Sequence, residues 1–124
     1  MIGILRFSLL TAVAALSLAA ADGGARAATP YDGPWHVTIT TVSGTCGSGV
    51  GFGLRIRDGL VYGYSSDVNV NGRVSRGGAV QVNLSSGQQR AGGRGRLRGS
   101  SGDGSWQGVG TQGSCSGYWS ASRG

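Results

Sequence analysis

The chain of 124 residues contains no lysine, no glutamate and a single histidine. Its 11 basic side chains are all arginines, and its five acidic side chains are all aspartates. Catalysis needs a group that exchanges protons or attacks, held beside a partner that activates it. The sequence forces no Asp or Ser close to His36, and the aspartates stand mostly where turns favour Asp. We therefore predict that the protein has no catalytic residues and is not an enzyme.

Metal ligands are equally scarce. Structural zinc sites take four ligands, mostly Cys and His, and this chain has two cysteines and one histidine. Haem iron needs an axial His, Met, Tyr or Cys, for which His36, Tyr62 and Tyr118 are the candidates. We predict no metal site and no resident cofactor, and haem stays open as a small apolar ligand.

The first 27 residues have the pattern of a signal peptide. An arginine near the start precedes an apolar run of about 14 residues, which is shorter than the roughly 20 that a membrane-spanning helix needs. Small residues follow, with Ala-x-Ala sites that end at Ala21 and at Ala27. We favour cleavage after Ala27, which leaves residues 28–124 as one domain with no transmembrane segment. The mature protein is then expected in the periplasm or outside the cell.

Export makes the cysteine pair informative. In an oxidising compartment Cys46 and Cys115 would form a disulfide. In the chain-entropy model a cross-link over a loop of this length contributes roughly 4 kcal/mol. That is a large share of the stability of a domain of about 97 residues.

No helical period follows the signal peptide. Short segments instead alternate apolar with polar residues, which is typical of strands with one buried face, and glycine separates them. Asp58 and Gly59 predict a two-residue hairpin turn that pairs Ile56 with Val61. We count eight such strands, and we place longer connections at residues 85–89, 100–103 and 111–114.

Eight consecutive antiparallel strands predict a small closed up-and-down barrel, because closure removes the exposed edges of the sheet. A β-sandwich is the alternative. The cysteines favour the barrel: Cys46 follows the first strand and Cys115 begins the last, and these strands are neighbours only if the sheet closes. The outward-facing set of Thr, Asn, Gln, Arg and Ser argues against a transmembrane barrel.

The three tryptophans, Trp35, Trp106 and Trp119, are predicted to be core aromatics. With four-residue turns at 100–103 and 111–114, Trp106 lies opposite Leu97 on one side and opposite Trp119 on the other. Val37 continues this inner row on the first strand. Glycines on the same face would leave room for the rings.

Arginine gives the mature chain its charge, about +5 from nine arginines and four aspartates. Arg94, Arg96 and Arg98 alternate with Gly95 and Leu97, which predicts one outward row with a spacing of about 6.5–7 Å. Guanidinium groups at this spacing suit rows of phosphate or carboxylate, so the three arginines are candidate anion-binding residues. A plain solvated face is the alternative.

Six spaced elements carry a resemblance that spans nearly the whole mature chain. They are 31–37 (YDGPWHV), 44–46 (GTC), 56–62 (IRDGLVY), 72–75 (GRVS), 102–106 (GDGSW) and 115–123 (CSGYWSASR). Together they resemble a group of small exported, glycine-rich β proteins of Gram-negative soil bacteria. Some of these have names that refer to haem utilisation or adhesion. The resemblance implies a small exported β domain and no catalytic residues, and the row of three arginines is more basic than the usual pattern of the group.

These observations predict an exported, non-enzymatic binding protein whose arginine face meets an anionic surface, a polysaccharide or an acidic protein. Nucleic acid is not the expected partner, because export removes most of it from reach. One alternative is an inhibitor of a protease or lysozyme that acts through the loops at 43–49 or 85–89. Another is a carrier that holds a small apolar ligand such as haem in the mouth of the barrel. The oligomeric state stays open.

Overall fold

The computed structural model describes residues 27–63, 67–111 and 113–124. The predicted signal peptide, apart from Ala27, lies outside the described residues. No helix in the described part is long and apolar enough to cross a membrane. Eight strands follow one another along the chain: β1 (Gly33–Ser43), β2 (Val50–Arg57), β3 (Leu60–Gly63), β4 (Asn69–Val74), β5 (Ala79–Ser86), β6 (Gln89–Arg98), β7 (Ser101–Gly110) and β8 (Gly113–Arg123).

Each strand pairs antiparallel with the next, and β8 pairs with β1, so the sheet closes into a barrel. The closed barrel confirms the first predicted architecture and replaces the sandwich alternative. The disulfide is also confirmed: Cys46 and Cys115 are bonded, with Cα atoms 6.1 Å apart. It joins the connection after β1 to the third residue of β8, at the end of the barrel where β1 ends and β8 begins.

One end of the barrel is tightly packed, and we call it the closed end. Buried side chains from seven of the eight strands fill the interior there and extend toward its middle. They are Trp35, Val37, Ile56, Val61, Val74, Val82, Leu97, Trp119 and Ala121. The apolar side chains toward the other end, the open end, are only partly buried; Ile39, Phe52, Leu84 and Trp106 are among them.

The residues before β1 cover the closed end. The indole N–H of Trp35 donates to the carbonyl of Tyr31 at 2.8 Å. The Arg123 guanidinium lies 4.8 Å from the centre of the Trp35 ring and donates to the carbonyls of Asp32 and Pro30. A cation over an aromatic face is favourable. Arg123, the last residue of β8, therefore holds the residues before β1 against the core.

The Asp32 carboxylate holds the β2–β3 turn. It accepts hydrogen bonds from the backbone N–H groups of Asp58 at 2.8 Å and Gly59 at 3.2 Å. Burial acts to raise the pKa of this carboxyl, but the hydrogen bonds from Thr29 and from the turn outweigh burial and hold the pKa below its usual value of 3.8. Asp58 and Gly59 both have positive φ, at 53° and 77°, and Ile56 pairs with Val61. The predicted hairpin turn and its register are therefore confirmed.

The two predicted registers around β7 are wrong. Leu97 pairs with Gly102 rather than with Trp106, and Trp106 pairs with Gly117 rather than with Trp119. The connection after β6 is a two-residue turn at residues 99–100, where Gly99 takes a φ of 58°. Short turns of this kind match the twist of the flanking strands and lengthen the hydrogen-bonded ladder.

The same correction changes the partners of Trp119. It lies opposite Gly104 on β7 and opposite Ile39 on β1, so Val37 does not continue its row. The shifts are four residues for Leu97 and two for Trp106. Because both are even, every side chain keeps its predicted inward or outward direction. Across the β7–β8 ladder each tryptophan therefore faces a glycine instead of another large side chain.

The predicted loop at residues 85–89 is also wrong. β5 continues to Ser86 and β6 begins at Gln89, so only residues 87–88 lie between them. Ser86 and Gln89 pair directly across the turn. Of the two loops proposed for an inhibitor, only the connection after β1 exists as a loop.

Glycines form the surfaces on which two tryptophan rings lie. The Trp119 ring lies across Gly104 and Gly95, and its N–H donates to the carbonyl of Arg94 at 3.3 Å, two strands away. Trp106 reaches the other way, and its N–H donates to the carbonyl of Thr40 at 3.1 Å on β1. Both rings therefore lie along the wall of the barrel.

Replacing Gly104 by Ala tests this packing. A Cβ at this position would overlap the main-chain carbonyl of Arg94 on β6 and lie 2.6 Å from Cε2 of Trp119. We expect the free energy of unfolding to fall by about 1–3 kcal/mol, because both the Trp119 ring and the neighbouring β6 main chain must shift. Urea unfolding followed by tryptophan fluorescence measures the loss.

Gly92→Ala on β6 is the matched control. Its Cβ would meet the Asn83 side chain at 3.4 Å, an ordinary contact. We expect a change within about 0.5 kcal/mol, as for most surface substitutions. Equal unfolding midpoints for the two variants would show that Gly104 does not support the Trp119 ring.

Candidate functional site

Between the closed end and the open end, the barrel interior contains an apolar cavity of about 220 Å³. Five strands, β1, β2 and β5–β7, supply most of its wall, and β8 supplies Trp119. The lining residues are Val37, Ile39, Phe52, Leu54, Val80, Val82, Leu84, Ala91, Gly92, Gly93, Trp106 and Trp119. None of these side chains carries a charge, and their only polar side-chain groups are two indole N–H groups.

Small side chains on β6 leave this space open. Ala91 and Gly93 face inward where the other strands carry Phe52, Leu54 or Leu84. The two indole rings lie along the wall, and their N–H groups are already bonded to main-chain carbonyls. The cavity therefore offers apolar surface and no free hydrogen-bond donor.

A wider space of about 540 Å³ adjoins the cavity at the open end, and we call it the vestibule. Leu84, Ala91 and Trp106 line both spaces, and we call these three residues the neck. The disulfide lies in the vestibule wall. The polar residues that line the vestibule are Thr45, Ser85, Ser86, Gln89, Arg90 and Thr111.

Arg90 is the single charged side chain among the residues that line the vestibule, and no aspartate lines either space. Asp67 is the aspartate closest to this end in the fold; its carbonyl accepts a hydrogen bond from Ser86. Asp32 and Asp58 lie at the closed end, around the β2–β3 turn. Arg90 stands at an outward-facing position of β6, between Ser85 and Val109, so its charge lies at the outer rim of the vestibule.

The three candidate anion-binding arginines lie away from the cavity. Arg94, Arg96 and Arg98 are exposed on the outer face of β6, toward the closed end. Arg96 pairs with Asp103 on β7, and its guanidinium donates to the carbonyl of Gly77 at 3.2 Å. Arg96 is therefore less free than its two neighbours to meet an external anion.

The predicted core aromatics divide between the two ends of the barrel. Trp35 is 3% exposed and Trp119 is 9% exposed, and both belong to the core. Trp106 is only partly buried, because one side of it faces the cavity and the vestibule. Trp106 thus packs against the core and also forms part of the neck.

The residues that could bind haem iron do not line the cavity. His36, Tyr62 and Tyr118 are exposed on the outer face of the barrel. Among the described residues there is also no group of three or more His, Cys, Asp or Glu side chains that could hold a metal ion. The cavity fits an apolar ligand whose binding needs no coordination to the protein.

The sequence analysis did not find the cavity. The sequence feature that could have indicated the cavity is a run of small residues at inward positions on one side of the barrel. These are Ala91 and Gly93 on β6, then Gly108 and Gly110 on β7. We interpreted inward glycines as room for tryptophan rings. That holds for Gly95 and Gly104, whereas the small residues nearer the open end leave space unfilled.

Comparison with known proteins gives no match to a family model, to a curated protein or to a solved structure. The resemblance to exported glycine-rich proteins therefore stays a prediction. Function is inferred below from the geometry of the barrel.

Proposed function

We propose that this protein is an exported binding protein that holds a small apolar ligand inside its barrel and catalyses no reaction. The observation that carries the proposal is the apolar cavity of about 220 Å³, which shares the three neck residues with the vestibule at the open end. The disulfide is compatible with an oxidising compartment such as the periplasm or the cell exterior.

Water is a poor occupant of this cavity. A buried water needs two to four polar partners, and the two indole N–H groups there are already bonded. Left empty, a space of this size would lower the free energy of unfolding by up to about 5 kcal/mol, at roughly 24 cal/mol per Å³. An apolar ligand recovers the missing contacts, so its binding stabilises the fold.

Cavity volume limits the size of the ligand. An apolar cavity of roughly 150 Å³ accepts benzene, so by proportion this one accommodates about nine carbon atoms. A longer molecule could extend through the neck into the vestibule. Haem is not favoured, because none of the cavity residues offers an axial ligand.

Ala91→Leu tests the proposal by filling the neck. The added side chain occupies the space between cavity and vestibule, so we expect loss of binding of apolar probes such as octanol, by at least about tenfold. Isothermal titration calorimetry measures binding. The folded barrel should keep its thermal midpoint, because the new methyl groups enter open space.

Ala79→Leu is the control. Ala79 lies on β5 with its side chain exposed, outside the cavity lining. This variant should bind octanol as the parent protein does. Binding that is absent in the parent, or equal in the two leucine variants, would contradict a ligand site in the barrel.

A second candidate function rests on the arginine row. Arg94 and Arg98 are exposed on one outward face, at a spacing that suits anionic groups of a polymer. The partner class is an acidic polysaccharide, an anionic membrane surface or an acidic protein. Because the row lies on the outer wall, this function is compatible with a ligand in the barrel.

Heparin affinity chromatography tests the row. We expect Arg94→Ser with Arg98→Ser to elute at clearly lower salt than the parent, because two counterion-releasing contacts are lost. Arg55→Ser with Arg57→Ser removes the same charge from β2, four strands away around the barrel. If both double variants elute at equally lowered salt, net charge alone explains heparin binding, and a specific binding face on β6 is contradicted.

A further inference from the structure

We infer that the outer wall of β6–β8 binds a chain of an acidic polysaccharide, whose sugar rings stack on Tyr118 and whose carboxylates meet Arg90 and Arg94. This inference rests on the second candidate function, the arginine row, and deepens it. It selects one of the three partner classes of the row and places the contact on named residues. It does not involve the cavity inside the barrel.

Three adjoining depressions follow this outer wall from the open end toward the closed end. Each is lined by three consecutive residues from each of β6, β7 and β8, and we call the three together the furrow, residues 90–96, 103–109 and 114–120. Their volumes are about 610, 670 and 720 Å³, within the range of ligand clefts, about 300–1,000 Å³. The furrow extends about 20 Å along β6, which suits an extended polymer.

Small outward-facing residues make this part of the wall concave. Gly92 lies between Asn83 on β5 and Gln107 on β7, and the amide oxygen of Asn83 lies 3.4 Å from the place that a Cβ of Gly92 would take. The floor there is bare main chain with an amide side chain on each side. Amides and hydroxyls both donate and accept hydrogen bonds, as sugar hydroxyls require. The other small outward residues of the furrow are Ser105, Ser114, Ser116 and Ser120.

Tyr118 supplies an aromatic face in this polar surface. It is 62% exposed and faces outward in the middle of the furrow. Its partners across the ladders are Ser105 and Thr40, and the next outward residues along β8 are Ser116 and Ser120. Because all four neighbours are small, they leave the ring uncovered. The carbon–hydrogen face of a sugar ring is apolar, so stacking it on the tyrosine removes apolar surface from water.

Charge complementarity selects an acidic chain. The furrow contains three arginines and one aspartate, a net charge of +2. Arg96 pairs with that aspartate, Asp103, across the β6–β7 ladder. Arg90 and Arg94 are exposed on the same outward face, about 13 Å apart along the strand. Guanidinium groups bind carboxylates through paired, charge-assisted hydrogen bonds, so these two arginines favour a polymer that carries repeated carboxylates.

Shape and composition disfavour the other two partner classes. A bilayer surface is flat on this scale, so it would contact the rims of a furrow and leave the floor uncovered. Protein interfaces have an apolar core, whereas every outward residue of the furrow except Val109 and Tyr118 is polar, charged or glycine. A sugar polymer is a narrow chain with hydroxyls along its edges, and it can enter the furrow.

Three polymers of matched length separate sugar binding from charge. Polygalacturonate carries sugar rings and carboxylates, its methyl ester carries the same rings without charge, and polyaspartate carries carboxylates without sugars. We expect polygalacturonate to bind at least about tenfold more tightly than the other two, because each of them lacks either the charge contacts or the stacking contact. Biolayer interferometry with immobilised protein measures the affinities.

Tyr118→Ala tests the stacking contact. We expect polygalacturonate binding to weaken about three- to tenfold, the loss for roughly 30–50 Å² of ring surface that is no longer covered. Polyaspartate binding should not change, and Tyr118→Phe, which keeps the ring, should bind polygalacturonate as the parent does. Tyr62→Ala is the matched control, since this exposed tyrosine lies on β3, outside the furrow. Thermal midpoints confirm that each variant is folded.

Arg90→Gln tests the charge contact. We expect polygalacturonate binding to weaken about three- to tenfold, a range that allows for screening by solvent. Arg55→Gln removes the same charge from β2, on another part of the outer wall, and should change the affinity less than about twofold.

The outcomes separate the furrow from the arginine row. Polyaspartate binding as tight as polygalacturonate, or an equal loss for both polymers in Tyr118→Ala, overturns the sugar site and leaves the arginine row standing. Equal losses in Arg90→Gln and Arg55→Gln overturn the placement in the furrow. Binding to phosphatidylglycerol vesicles without binding to polygalacturonate also overturns it, in favour of a membrane surface. Failure to bind heparin, all three polymers and the vesicles overturns the second candidate function itself.

Discussion

Two indole rings that each reach across a neighbouring strand determine much of this barrel. Trp119 crosses β7 to bond a carbonyl on β6, and Trp106 crosses β8 to bond a carbonyl on β1. Each ring stands opposite a glycine on the strand that it crosses: Gly104 lies against the Trp119 ring, and Gly117 is the β8 partner of Trp106. A small barrel built this way gains aromatic surface along its wall, and its interior toward the open end stays unfilled.

That arrangement gives the two ends of the barrel different characters. Toward the closed end, Trp35 and Leu97 belong to one buried cluster with residues of β2–β4. The Arg123 guanidinium lies over the Trp35 ring at this end. Toward the open end, the rings lie against the wall and β6 carries small residues, so the interior is unfilled. The tightly packed core and the proposed binding site thus lie toward opposite ends, and the disulfide cross-links the open end, where the apolar side chains are only partly buried.

Alternation of apolar and polar residues predicted the fold, because a period of two decides which face of each strand is buried. The cysteine positions predicted closure of the sheet, and Asp58 with Gly59 predicted one register correctly. Registers around β7 were missed because glycine-rich turns permit several lengths, and an even shift leaves the inward pattern unchanged. The cavity was missed because a sequence shows which residues face inward, whereas unfilled volume depends on where opposing side chains meet across the axis.

Xenon is the most direct probe of that unfilled volume, since it enters dry apolar cavities and makes no polar contacts. In crystals held under xenon pressure, the structure predicts a bound atom among Val82, Leu84 and Trp106, with the surrounding side chains unmoved. An interior without xenon, closed by the Trp106 ring or filled with ordered water, would contradict a ligand cavity in this barrel.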